Sequence, residues 1–220
     1  MVEGVAVKTP SLWEKTLSAA LFGFGLFFII AMEYNLFTGM VAGLADMPPR
    51  DYIRLVVCYA MNAVGVLVVC LLVLGMNNSV SKAVIERAAI TIEGKLANTL
   101  LGAFFSSVMC GMMITFAVKS HARAKDKGLS ATLGVIFPVL LFSFMGFEHC
   151  VANQAYIFLG LFGKADIDLW RLLAFALITA GGNIVGGIFF PILTKSVSPK
   201  IETKAVVEPE EKDEREEKAA

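Results

Sequence analysis

Five apolar stretches, at residues 16–47, 52–76, 96–118, 129–162 and 168–194, dominate the sequence. Each reaches or exceeds the roughly 20 residues that a helix needs to cross about 30 Å of hydrocarbon. A helix satisfies its own backbone hydrogen bonds, which lipid cannot do, so the chain is expected to be an all-α polytopic membrane protein with about five membrane segments. Composition agrees: 57% of the 220 residues are hydrophobic and 17% charged, against about 45–50% and about 25% in soluble domains. A disordered chain is thereby excluded. Residues 1–199 hold fourteen basic and eleven acidic side chains. This balance is too even for a nucleic-acid partner, which needs a concentrated basic face.

The first and fourth stretches are too long for one straight crossing. At 1.5 Å per residue each would make a helix of about 50 Å, more than tilt absorbs, so a break in each is expected. Both carry polar residues near the middle: Glu33-Tyr34-Asn35-Leu36-Phe37-Thr38-Gly39 in the first, Gly146-Phe147-Glu148-His149-Cys150-Val151-Ala152-Asn153 in the fourth. Irregular backbone at membrane depth is tolerated where it is buried in protein or lines a water-filled cavity. Two broken segments in corresponding positions point to a transport site between inverted repeats. The stretch after each break carries N-x-x-G, as Asn62-Ala63-Val64-Gly65 and Asn183-Ile184-Val185-Gly186, followed by Gly187. Small residues at this spacing let helices approach closely, and asparagine can bond across them. An internal duplication follows.

The polar connections Asp46–Tyr52, Asn77–Lys95, Lys119–Gly128 and Gly163–Leu169 are expected to be loops. The chain is expected to divide into a short N-terminal segment (1–15), a transmembrane domain (16–195), a channel if the two breaks line a transport site, and a charged disordered tail (196–220). The first apolar stretch is too long for a signal-peptide core and is expected to be retained. Cys58, Cys70, Cys110 and Cys150 show no metal-ligand spacing and are expected to be small buried hydrophobes. His121 lies among Lys119, Arg123, Lys125 and Lys127 and is expected to be a solvated loop residue.

Candidate chemistry concentrates in the breaks. His149 is an ionisable residue at membrane depth, a functional hypothesis by default, and a neutral imidazole donates one hydrogen bond to an anion. Thr38 offers a hydroxyl in the other break. Glu33 and Glu148 are expected to brace the unwound backbone by accepting its freed N–H groups. Phe22-Gly23-Phe24-Gly25-Leu26 alternates glycine with bulk just before the first break, as an apolar constriction would. No nucleophile–base pair, phosphate-binding glycine loop or metal-ligand cluster appears, so neither enzymatic activity, a metal nor a cofactor is expected.

Leu36-Phe37-Thr38-Gly39, the run from Gly146 to Asn153 and the two N-x-x-G helices together resemble the formate/nitrite transporter family, over about residues 15–195. The resemblance implies a homopentamer of aquaporin-like inverted-repeat protomers in the lipid bilayer. Each would have its own pore for small monovalent anions and protons: formate first, then nitrite or hydrosulfide. His149 would be the pore histidine and Thr38 the hydroxyl facing it. Phe22 and Phe142 would form the outer constriction, and Leu26, Leu36 and Phe37 the inner one. Glu148, Asn153 and Asn183 would support the second break, and Glu33, Asn35 and Asn62 the first. The family's complete helix ahead of the first broken one has no counterpart here, where about fifteen residues precede the break-bearing stretch.

The resemblance also implies a multi-pass protein of a prokaryotic cytoplasmic membrane with a cytoplasmic C-terminus. The Lys119–Lys127 loop, with three Lys and one Arg in nine residues, fits the cytoplasmic side by the positive-inside rule. Lys82, Arg87 and Lys95 then fall outside, where they would draw anions into a vestibule. The expected function is proton-linked passage of a weak-acid anion past His149. The alternatives are a neutral-solute or water channel, and a truncated, non-transporting subunit.

Overall fold

The computed structural model describes residues 11–124, 126 and 128–197, with side chains to Leu193. Residues 1–10 of the expected N-terminal segment, and residues 198–220 of the expected tail, lie outside the described residues. Eight α-helices run through the described residues: α1 (Leu12–Ala31), α2 (Phe37–Val41), α3 (Tyr52–Met76), α4 (Ser79–Ala97), α5 (Leu100–Arg123), α6 (Leu129–Met145), α7 (Cys150–Phe162) and α8 (Leu169–Val197).

Helix α1 starts at a capping box. The Ser11 hydroxyl accepts the Glu14 N–H at 3.2 Å while the Glu14 carboxylate accepts the Ser11 N–H at 2.6 Å, so two otherwise orphaned donors are satisfied. The helix therefore begins a turn earlier than the apolar boundary at residue 16 predicts. α1, α5, α8 and the segment Pro49–Met76 are long and apolar enough to cross a membrane. The pair α6 and α7, bent by 47° at its break, is together long and apolar enough for a fifth.

The two breaks are built alike. After α1, Glu33 takes the left-handed conformation (φ 56°) and the Tyr34 N–H reaches back to the Ile29 carbonyl at 2.9 Å. After α6, Gly146 takes it (φ 72°) and the Phe147 N–H reaches the Phe142 carbonyl at 2.9 Å. A left-handed residue lets the last helical carbonyls find partners and turns the chain. Glycine does so freely, whereas Glu33 carries a Cβ into that region at about 1 kcal/mol. The equivalence runs residue by residue, Glu33 with Gly146 and Leu36 with His149.

The connection Asn77–Lys95 is not the expected loop. It forms α4, opened by Asn78, whose side chain accepts the Ser81 N–H at 2.9 Å, and held at its end by Arg171 of α8. The Arg171 guanidinium donates to the Leu96 and Asn98 carbonyls, both at 2.5 Å. Lys82, Glu86, Arg87, Glu93 and Lys95 keep this segment too polar for a membrane span, which hides it from a hydropathy reading. The stripe Ile85, Ala88, Ala89, Ile92 and Leu96 nevertheless has helical spacing. Through it α4 packs on α7, with Ile85 and Ile92 lying close over Gly163 and Gly160.

The closest packing joins α5 to α8. Cβ atoms added at Gly182 and Gly186 would meet the Phe104 and Val108 carbonyls, and one at Gly111 would meet the Asn183 carbonyl. Without a hydrophobic drive between helices in lipid, such backbone approach is what holds them together. The core around this joint contains Leu26, Val41, Ile114, Val139 and Phe142. Most of α3 is exposed and apolar, as a face toward lipid or another apolar surface requires.

Candidate functional site

The two breaks meet at the centre of the bundle. His149 is the N-cap of α7, and its Nδ1 accepts the Ala152 N–H at 2.9 Å. With Nδ1 used as acceptor, the neutral ring carries its proton on Nε2. That atom lies 3.1 Å from Thr38 Oγ1. The pairing leaves the Thr38 hydroxyl proton for a further acceptor. Both side chains are buried, at 5% and 2% exposure. The imidazole stacks on Phe142 (centroids 6.0 Å apart, planes at 11°) and meets Phe22 edge-on at 6.1 Å. Phe22 and Phe142 contact each other at 5.8 Å. Two aromatic rings thus cover one polar pair.

Leu26 and Leu36 border a cavity of about 190 Å³, together with Ile29, Ile30, Ile114 and Val118. Phe37, expected beside them, turns away. It lies tilted against Tyr59 of α3 at 4.8 Å and borders a separate apolar cavity. The reason is the start of α2: Leu36 is its N-cap and Phe37 its first residue, so the helical turn sends their side chains in different directions.

Asparagines hold the breaks. Asn62 donates to the Asn35 carbonyl at 3.2 Å and accepts the Phe37 N–H at 2.9 Å. Asn183 donates to the Glu148 carbonyl at 2.9 Å and accepts the Cys150 N–H at 2.9 Å. Each asparagine grips a C=O and the N–H two residues on, and Asn183 also donates to the Ser107 carbonyl at 2.7 Å. Ser106 Oγ accepts the Glu148 N–H at 3.1 Å. The carboxylates are therefore placed otherwise than the sequence suggests. Glu33 is exposed, and among the described residues its carboxylate makes no hydrogen bond to the break. Asn35 contributes its backbone carbonyl. Glu148 directs its Oε2 to Lys95 Nζ at 2.6 Å and to Asn153 Nδ2 at 3.0 Å. The amide side chains suffice because each supplies a donor and an acceptor at once, which a carboxylate cannot.

Asn183→Ala is expected to destabilise the protein by about 3 kcal/mol or more, since it strands the Glu148 carbonyl and the Cys150 N–H and removes the second bond to the helical Ser107 carbonyl. Asn62→Ala, at a half-buried site with two partners, is expected to cost about 1 kcal/mol. Thermal unfolding of the detergent-solubilised variants measures the difference, and equal midpoints would contradict the assignment of Asn183 as the stronger brace.

Sequence reasoning did not pair Lys95 with Glu148. The two lie 53 positions apart, and Lys95 sits in the segment taken for a loop. Its ammonium also lies over the Tyr156 ring, 5.7 Å from the centroid. Beside this pair opens a vestibule of about 670 Å³ between α1, α4 and the end of α6, bordered by Glu14, Lys15, Arg87, Thr91, Lys95 and Ser143. Lys82 does not border it. Among the described residues no group of three or more His, Cys, Asp or Glu side chains is placed to hold a metal ion.

A bundle of apolar helices with two breaks meeting at a buried polar pair is an architecture of membrane channels and transporters. Residues 1–197 match the profile of the formate/nitrite transporter family, and the chain belongs to that family. It is 28% identical over 204 residues to a probable formate transporter of Methanothermobacter thermautotrophicus, covering 82% of this chain and 74% of that protein. It is 32% identical over 130 residues to the formate channel FocA of Haemophilus influenzae, covering 48% and 45%. An uncharacterized transporter of Saccharomyces cerevisiae, YHL008C, is 28% identical over 178 residues, 77% of this chain but 28% of that protein. A pentameric formate channel solved with formate bound superposes with a TM-score of 0.73 at 22% identity, covering 87% of this chain and 86% of that one. An FNT family ion channel superposes at 0.74 and 22% identity, covering 88% and 80%. The chain is an integral, multi-pass membrane protein.

Proposed function

We propose that the chain passes small monovalent weak-acid anions, formate first and nitrite or hydrosulfide next, through a pore within each protomer of a homopentamer. The observation that carries this reading is the His149–Thr38 pair beneath the Phe22 and Phe142 rings, next in chain to Glu148, whose partner Lys95 borders a vestibule shared with Glu14, Lys15 and Arg87. The match to formate transporters and to a pentameric formate channel supports the substrate class and the assembly. The membrane is a prokaryotic cytoplasmic one, with the C-terminus on the cytoplasmic side.

The arrangement sets out a sequence of environments. Lys15, Arg87 and Lys95 attract an anion into the vestibule. The N-terminus of α7, aimed at the site, favours negative charge there. The aromatic constriction then strips water, which disfavours the charged form and raises the anion's proton affinity. An anion that reaches the polar pair accepts hydrogen bonds from the Nε2–H of His149 and the hydroxyl of Thr38, and takes its proton from a hydronium ion in the vestibule water, leaving water. The neutral ring, whose Nδ1 already accepts the Ala152 N–H, keeps its own proton. It crosses the apolar region bordered by Leu26 and Leu36 as the neutral acid.

Formate uptake into proteoliposomes is therefore expected to rise steeply as external pH falls from about 8 to about 5, and to be stimulated by an inward proton gradient. Uptake independent of pH across that range would overturn the proton-linked step. Osmotic swelling without anion uptake would favour a neutral-solute channel instead. Failure of the purified chain to form pentamers would favour a non-transporting subunit.

A further inference from the structure

On α4, Arg87, Thr91 and Lys95 recur at every fourth residue, which puts them on one helical stripe, and all three border the vestibule. Lys95, the inner member, is committed to Glu148. Arg87, the outer member, is exposed. The Thr91 hydroxyl bonds the Arg87 backbone carbonyl at 2.7 Å. Among the described residues the guanidinium itself makes no hydrogen bond or ion pair. On the facing wall, Lys15 adds a second cation, while the acid beside it, Glu14, is engaged by Ser11. An exposed guanidinium with no acceptor on its N–H groups among the described residues thus stands about 12 Å along the helix from Lys95, with Tyr156 in the same lining.

A guanidinium is not merely a positive charge. Its planar fork presents parallel N–H groups that match the two oxygens of a carboxylate, whereas an ammonium acts as a point charge. Formate and nitrite each offer two oxygens in a plane. Hydrosulfide has a single acceptor atom and cannot align one acceptor with each of the two parallel N–H groups. We infer that Arg87 is a specificity-determining residue in the vestibule, capturing planar two-oxygen anions in a bidentate grip in preference to hydrosulfide, before they reach Lys95. This rests on the anion-transport reading above and adds which member of the class is favoured and by what group.

The test compares the full chain with Arg87→Lys, which keeps the charge and removes the fork, and with Arg87→Gln, which removes both. Concentration dependence of formate, nitrite and hydrosulfide flux is measured in proteoliposomes. Binding of ¹³C-formate to the solubilised protein is followed in parallel by NMR line broadening. Arg87→Lys is expected to raise the half-saturating concentrations of formate and nitrite about fivefold and to leave that of hydrosulfide within about twofold. Arg87→Gln is expected to weaken all three, formate and nitrite most. Equal changes for all three anions in Arg87→Lys, or none, would overturn the assignment while leaving transport in place. Formate binding weakened by Arg87→Lys in a chain that passes no anion would sustain it and refute the transport reading. A chain that neither binds nor passes formate would refute both.

Discussion

Replacing His149 with Phe is expected to lower formate flux in proteoliposomes by about 10- to 100-fold while the protein remains folded and assembled. Its Nε2–H is the polar donor set among Phe22, Phe142 and Thr38. A hydrogen bond to a charged group is worth about 1.5–3 kcal/mol, and each 1.36 kcal/mol is tenfold in rate. Phenylalanine fills the ring's space between its aromatic neighbours but strands the Ala152 N–H that Nδ1 now accepts, a loss of about 1 kcal/mol typical of a removed N-cap. His149→Asn separates the two effects. Asparagine is a strong N-cap, so this variant is expected to keep the helix start and still lose flux. Size-exclusion chromatography and formate uptake on both variants decide the matter: either variant transporting at the wild-type rate would refute the role given to the imidazole.

Gly186→Ala is expected to destabilise the protein by about 3 kcal/mol or more, although it adds a single methyl group. That methyl would fall on the Val108 carbonyl and close on the Met112 nitrogen. The obstruction is backbone on the facing helix, so relief requires α5 and α8 to separate. Overpacking of this kind belongs to the short list of mechanisms behind large single-residue losses. Gly65 supplies the internal control. It holds the corresponding place in the other N-x-x-G helix, yet a Cβ there would meet nothing within 4 Å. Gly65→Ala is therefore expected to be neutral or slightly stabilising, by the higher helix propensity of alanine. Thermal unfolding in detergent measures both, and a Gly186→Ala variant as stable as Gly65→Ala would refute the close-packing account.

Formally equivalent sequence positions thus differ because of what packs on them, and the same distinction runs through the whole chain. The apolar stretches marked the four long apolar helices and the bent α6–α7 pair, since transfer of backbone into lipid leaves a helix as the only local solution. Excess length and central polarity located both breaks, and the left-handed residues Glu33 and Gly146 fall inside those windows. The N-x-x-G repeats marked Asn62 and Asn183. These are local signals, carried by a few consecutive residues.

Other features were not legible because they depend on distant partners. Helix α4 lacks the hydropathy of a span, and it is held by the Arg171 guanidinium across a separation of about 75 positions. Glu33 and Glu148 look interchangeable in sequence, yet one is exposed while the other meets Lys95. Phe37 adjoins Leu36 but faces α3. By itself the sequence determined a membrane bundle of two similar halves, each with a break, and the side chains those breaks carry. Only the tertiary structure decided which polar groups satisfy the broken backbone, which way each side chain turns, and that Nε2 of His149 faces Thr38 across 111 positions of chain. The physical reason is that hydropathy and helix length act residue by residue, whereas hydrogen-bond satisfaction and backbone contact are properties of pairs brought together by folding.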